Sequence, residues 1–307
     1  MDGDTANKKR DFDGGSKADI ARKYKKRSQS AEIWRRFRKN KSAVIGLVVV
    51  ILIILIAIFA DVIVDYQQLA IKINPAERLE PPSLKHLFGT DEFGRDMLAR
   101  VIHGSRPSLL VGFLSSAISL GLGTIIGAIA GFYGSRIDNF FMRFMDILLA
   151  LPSSVLAIAI ISGLGSSLPN LMLAIGISFL PQYARIVRAS VLTIKDQEFV
   201  EAARAIGARN HTIIFSHILP NCVAPIIVQA TLSVAFSILA IAGLSFIGLG
   251  IKPPAPEWGA LLSAGRSYFL QAPYITVFPG LAIMVTILAL NLLGDGLRDA
   301  LDPRLKQ

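Results

Sequence analysis

One cysteine stands in the whole chain, Cys222. An intrachain disulfide is therefore excluded. The four histidines, His86, His103, His211 and His217, are scattered over predicted loops, and no Cys/His spacing for zinc exists. No Gly-x-x-x-x-Gly-Lys-Ser/Thr segment occurs, so the chain has no recognisable grip on nucleotide phosphates. No nucleophile–base pair or carboxylate dyad is indicated by spacing, so no catalytic residue is expected. Gly89, Asp91 and Gly94 read as turn chemistry and lack the spacing of an EF-hand. Charge is scarce as well, at 18% of residues. What remains is apolar: 52% hydrophobic, with a mean hydropathy of +0.54. That composition points to a polytopic, all-α integral membrane protein.

The net charge of +10 is unevenly placed. Residues 1–41 hold fourteen Lys/Arg against six Asp/Glu, which is +8 of it. The excess lies just before the first apolar run, where anionic lipid headgroups would meet it, and this placement argues against a nucleic-acid partner. Residues 1–27 have too few apolar side chains to offset the cost of ordering and read as disordered. Ser30 caps an expected short basic helix with Ile33, Trp34 and Phe37 on one side, an interfacial elbow into the membrane. A plain juxtamembrane tail is the competing reading. The first apolar run begins after forty polar residues, so no cleavable leader is expected.

Six spans are expected. Ala43–Ala60 is eighteen residues without charge, about 27 Å as a helix. Asp61 ends it, giving a first span over 42–60 and an outer segment over 61–106. Within that segment Met97, Leu98, Val101, Ile102 and Ser105 form a stripe at helical spacing. It predicts a short helix on the outer surface, with Pro107 opening span two over Pro107–Ser135. Ile147–Ala184 is charge-free for thirty-eight residues, too long for one crossing, and Ser162–Ser167 breaks it into spans three and four. Ile218–Ile251 and Ser267–Gly294 supply spans five and six, so 107–294 is a five-helix core and 295–307 a tail. Pro253–Trp258 reads as a stiff loop before an amphipathic piece, Gly259–Phe269. Basic residues crowd the N-terminal tail, the Arg136–Arg143 turn, the Arg185–His217 loop and the C-terminal tail. The positive-inside rule then puts both termini and that loop in the cytosol.

The polar loop over 185–221 carries the strongest pattern. Glu198-Phe199-Val200-Glu201-Ala202-Ala203-Arg204-Ala205-Ile206-Gly207 reads as a helix stopped by Gly207, a residue that tolerates the left-handed conformation at C′. Asn210 fits the N-cap of a second short helix, which Pro220 closes. Ala202, Ala203 and Ala205 are small enough for another protein surface to come close. Glu198, Glu201, Arg204 and Arg209 would orient the contact. The loop resembles the "EAA" loop of ABC importer permeases in Glu201-Ala202-Ala203, Gly207 and Leu219-Pro220, and departs from the general pattern at His217, where that pattern has an apolar residue. His217 to Asn221 is similar to the ending in the peptide/nickel branch, as is Gly89 to Asp96 before span two. The resemblance covers about Ala43 to Arg304.

The resemblance implies a permease subunit in a prokaryotic cytoplasmic (inner) membrane. Its partners would be a second homologous permease, two cytosolic ABC ATPases that hold ATP and Mg, and an extracytoplasmic solute-binding protein. ATPase coupling would fall to Glu198, Glu201, Ala202, Ala203, Arg204, Gly207, Ala208, His217, Leu219 and Pro220. Di- or oligopeptides lead as cargo; nickel chelate, glutathione and oligosaccharide are alternatives on the same machine. A lone ion-coupled carrier or channel is the rival from another class, disfavoured because no span carries a charged residue at mid-membrane. An integral membrane enzyme is a more distant third.

Two stripes lie within the spans. Gly123, Gly127 and Gly131 recur every four residues, a spacing that lets helix backbones approach closely in lipid. Gln229, Ser233 and Ser237 recur likewise, and two readings are open: a water-filled translocation path or hydrogen bonding between helices. Arg143 with Asp146, and Asp295 with Arg298, are spaced to pair as surface anchors.

Overall fold

The computed structural model describes residues 29–301. The tail expected over residues 1–27, the side chain of Ser30 and the residues after Leu301 lie outside that description. Ten principal helices are described: α1 Gln29–Lys39, α2 Lys41–Ile58, α3 Met97–Tyr133, α4 Ser135–Leu149, α5 Ser153–Leu164, α6 Leu168–Ile194, α7 Glu198–Ala205, α8 Asn210–Phe246, α9 Trp258–Gly265 and α10 Tyr274–Leu301. Among the described residues there is no β-sheet, only an isolated bridge between Thr90 and Asp96.

Five helices, α2, α3, α6, α8 and α10, are long and apolar enough to cross a membrane. The α4–α5 pair, bent by 87°, makes a sixth if it counts as one span. Packing decides that it does. A Cβ on Gly123 would lie 2.4 Å from Tyr183 Cβ, one on Gly127 2.4 Å from the Ala184 carbonyl, and one on Gly131 2.9 Å from Val191 Cβ. Residue numbers rise together along this seam, so α3 and α6 run parallel. The chain must cross back between them, and α4 and α5 are all it has for that. Elsewhere neighbours are antiparallel: Gly112 meets Ile238, Gly294 meets Thr231, and Gly46 meets Ala289. The start of α2 and the end of α10 therefore share one end of the bundle, where Gly296 touches Ala43.

The break in the third crossing is local chemistry. Pro152 has extended backbone, φ −53° and ψ 138°, and a proline disfavours helix in the residue before it. The polar stretch Arg136–Arg143, expected as a turn, is instead helix α4. Asp146 does not pair with Arg143 as expected; it accepts from Arg185 Nη2 at 2.5 Å. Arg188 adds a two-pronged pair to Asp138, 2.5 Å on each prong. Both carboxylates reach across to α6 because their partners stand on the neighbouring helix, one turn apart from each other.

A second difference concerns Met97–Ser105. No separate surface helix forms there; the stripe is the first part of α3, which is 37 residues, about 55 Å, with Pro107 inside it. Proline should weaken a helix interior. Tertiary contacts just ahead of Pro107 anchor this part of the helix to its surroundings. Trp258 Nε1 donates to the Val101 carbonyl at 2.9 Å, His103 Nε2 bonds the Val64 carbonyl at 2.8 Å, and Arg106 Nε donates to the Ala57 carbonyl at 2.6 Å. His103 is thus helical and buried, not a loop residue.

The Gly89–Asp96 motif builds the cap on this helix. Asp96 N-caps α3 by accepting from Ala99 N at 2.8 Å. Asp91 is buried, with Oδ1 accepting from the Phe93 and Arg95 amides and Oδ2 from Arg95 Nε at 2.6 Å. Those oxygens are spent on the protein, which leaves little for a cation. Nearby, the hydrogen bond from Lys85 holds the Glu77 carboxyl below the usual carboxylate range. Glu257, fully buried, caps α9 through the Gly259 and Ala260 amides and accepts from Ser108 Oγ at 3.0 Å.

The glycine seam makes a sharp expectation. Gly127→Val would drive a branched side chain into the Ala184 carbonyl and the Arg188 amide, which are backbone and cannot turn aside. Overpacking of this kind costs about 1–3 kcal/mol. Purified in detergent, the variant should melt earlier than Gly121→Val, since a Cβ on Gly121 meets nothing within 4 Å. Equal melting would mean the seam is not close-packed.

Candidate functional site

At the end of the bundle shared by Ala43 and Leu301 sits the hairpin over 198–218. Helix α7 ends in a two-bond cap. Gly207, at φ +79°, donates to the Arg204 carbonyl at 2.9 Å, and Ala208 N donates to the Ala203 carbonyl at 3.0 Å. This is the Schellman arrangement, and the positive φ is why glycine suits the position. Open space surrounds Gly207, so the demand comes from the backbone alone.

The second arm differs from expectation. Arg209, with extended backbone, is the N-cap, and Asn210 is the first helical residue. Pro220 does not close the helix. The chain runs on through it to Phe246, as the single helix α8. A π-helical turn over Ile213–Ile218 precedes Leu219-Pro220, and Asn221 Nδ2 donates to the His217 carbonyl at 2.6 Å. The widened turn carries the helix past the missing proline N–H, and the Asn221 side chain adds a donor at a neighbouring carbonyl. The hairpin is therefore asymmetric. Its first arm joins α6 through Lys195–Gln197, while its second arm is continuous with the fifth crossing.

The hairpin is seated on the bundle. Val200, Ala203, Ile213 and Ile218 pack with Phe132 of α3 and Val191 of α6. Arg204 lies over the Phe132 ring, 5.4 Å from its centre. Ala203 thus faces inward, whereas Ala202 and Ala205 face solvent with Glu198, Glu201 and Gly207. Ala208, His217 and Leu219 are half-buried, and Pro220 is exposed. Among the described residues no ion pair engages Glu198 or Glu201. Sequence reasoning missed three residues on the open face: Ile206 at 85% exposure, Phe215 at 63% and Phe199 at 39%. Their signal was available, as large apolar residues inside a polar loop.

The stripe on α8 divides. Gln229 is half-buried, while Ser233 and Ser237 are enclosed by the chain's own helices. Ser233 Oγ bonds Ser116 Oγ of α3 at 2.6 Å and also the Tyr183 hydroxyl of α6. Tyr183 bonds Ser116 as well, at 3.2 Å. Three hydroxyls thus tie α3, α6 and α8 at one point. The Tyr183 side chain stands against Gly123, so the glycine seam is what lets it reach that point.

Residues 123–307 match a family model described as binding-protein-dependent transport system inner membrane component. Residues 28–82 match the N-terminal transmembrane domain of oligopeptide transport permease C. The dipeptide transport system permease protein DppC of Alkalihalophilus pseudofirmus is 48% identical over 90% of this chain and 90% of its own. The di/tripeptide transport system permease protein DppC of Pseudomonas aeruginosa is 47% identical over 90% and 92%. The glutathione transport system permease protein GsiD of Escherichia coli is 46% identical over 90% of each. Among solved structures, an inward-facing MetNI methionine ABC transporter chain superposes with a TM-score of 0.56 at 18% identity, over 67% of this chain and 98% of that one. That likeness speaks to the fold alone.

Gly207→Val should strain the turn by about 1–2 kcal/mol, because a β-branched residue resists positive φ. Amide exchange at positions 207 and 208, whose N–H groups close the cap, should speed up by about tenfold. Exchange along the α3–α6 seam should not change. Wild-type protection at 207 and 208 would show that the cap does not depend on glycine.

Proposed function

The chain belongs to the family of binding-protein-dependent transport system inner membrane components, and from that premise we propose that it is one permease subunit of an ATP-driven importer of short peptides. The family is one of non-catalytic transmembrane subunits, and it implies ATPase and binding-protein partners. The finer assignment is a complex with a second homologous permease, two cytosolic ATPases and an extracytoplasmic solute-binding protein. The observation that carries it is the hairpin over 198–218, a seated helical element whose open face mixes Ile206, Phe199 and Phe215 with Glu198 and Glu201. Apolar anchors rimmed by charge suit a protein partner. The names of the relatives support di- or tripeptides as cargo, and glutathione, itself a tripeptide, falls in the same class.

In this reading the hairpin faces the cytosol together with both termini. The ATPases supply the energy of ATP hydrolysis, held with Mg on their own chains. Closure of the ATPase pair displaces the hairpin. The second arm passes that displacement straight into α8, because the helix is unbroken from Asn210 to Phe246. The Ser116–Tyr183–Ser233 hydroxyls make α3 and α6 follow. Import then needs two states of the assembly in which the ATPases grip the hairpin differently. The test is to purify the complex, identify its subunits and measure ATP-dependent uptake of a labelled dipeptide in proteoliposomes.

Two further outcomes are expected. Ile206→Asp should remove the most exposed apolar anchor without touching the hairpin core. The ATPases should then fail to co-purify, while the subunit still inserts; full co-purification would place the docking surface elsewhere. For orientation, Leu84→Cys and Asn210→Cys both put a thiol at an exposed position, and the native Cys222 is buried. An impermeant thiol reagent added to intact cells should label position 84 and not position 210. The reverse pattern would invert the proposed topology.

A further inference from the structure

The third crossing is incomplete, and the gap has a shape. Helix α5 covers α6 only on the side toward Leu168, because α4 departs at 87°. Beside the break lies a half-open cleft of about 530 Å³ between α5, α6 and α8. Ser178 and Gln182, its polar α6 residues, straddle the middle of that helix, so the cleft sits about halfway along the bundle. Its volume falls within the roughly 300–1,000 Å³ of small-molecule sites.

The lining has a definite chemistry. Ser153, Ser154, Ser178 and Gln182 are its polar members, and no charged side chain lines it. Phe179, Leu239 and Gly243 contribute apolar wall. The Gln182 side chain is exposed and makes no hydrogen bond among the described residues. A lipid tail in the cleft would leave that amide without partners in an apolar medium, at a cost of several kcal/mol. A peptide backbone would not, since it offers both N–H and C=O groups to an amide that has two donors and an acceptor. Neutral polar groups on apolar walls read the backbone and are indifferent to side-chain charge.

We propose that this cleft is where the subunit contacts the backbone of the transported peptide. The inference rests on the importer reading above. It moves the cargo-facing side of α8 to Phe236, Leu239 and Gly243. Ser233 and Ser237, about a quarter-turn round the helix from these, are enclosed by the chain's own helices.

Gly243 supplies the test, because a Cβ there meets nothing within 4 Å and the helix tolerates a side chain. Gly243→Ala and Gly243→Trp are compared with wild type in the full complex, using uptake of labelled alanyl-alanine into proteoliposomes. The Ala variant should transport near the wild-type rate. The Trp variant should assemble with all its partners yet transport about tenfold less or slower still, since bulk obstructs a narrow path. Gln182→Leu should lower the maximal rate and leave the half-saturating peptide concentration unchanged, because capture belongs to the binding protein. Wild-type uptake by Gly243→Trp overturns the proposal. So does dissociation of the Trp complex, which would make the cleft the seat of the second permease. If wild type itself takes up no peptide, the importer reading fails instead.

Discussion

The structure depends on one close approach, the parallel packing of α3 on α6. Gly123, Gly127 and Gly131 place no side chain on the contact face of α3, and the α6 backbone settles into the space. In an apolar solvent there is little hydrophobic drive to bring helices together, so contact area and interhelical hydrogen bonds must do it. Small residues provide the area. The same approach brings Tyr183 within reach of Ser116 and Ser233, which adds the hydrogen bonds. Parallel neighbours also require a return crossing, and that requirement accounts for the broken α4–α5 segment.

The return crossing is anchored by charge at one end and left open at the other. Asp138 and Asp146 hold α4 against Arg188 and Arg185 of α6. Pro152 then turns the chain, and α5 completes the crossing on a different line. A continuous helix there would have covered α6 along its length. The bend instead leaves a polar-edged cleft beside Gln182, which ties the path of the backbone to the proposed cargo contact.

The hairpin rests on the same seam. Phe132, at the end of α3, and Val191, near the end of α6, form part of the floor on which Val200 and Ile213 pack. One arm is a short helix ended by a glycine cap, and the other is the start of a 37-residue helix. A displacement of the hairpin reaches α8 through continuous helical backbone and reaches α3 and α6 through packing and hydroxyls. Cooperative helical structure resists bending, so the two routes move together.

Much of this was legible in the sequence because it depends on local chemistry. Long uncharged runs must become helices that satisfy their own backbone in lipid. Gly207 had to end a helix, and Glu201-Ala202-Ala203 with Leu219-Pro220 carried the family resemblance. Glycines every four residues had to meet another backbone, though not a particular one. What the sequence could not decide was anything set by a partner distant in the chain. Pro107 and Pro220 looked like boundaries because proline lacks an N–H. Trp258, Val64 and Ala57 anchor α3 just ahead of the first, and a widened turn carries the helix through the second. Asp146 chose Arg185 over Arg143 because only the fold sets α4 beside α6. The serines of α8 could face a path or a neighbour, and the contact of Ser233 with Ser116 and Tyr183 exists only with three helices in place. Periodicity identifies a face of a helix; the tertiary structure decides what that face meets.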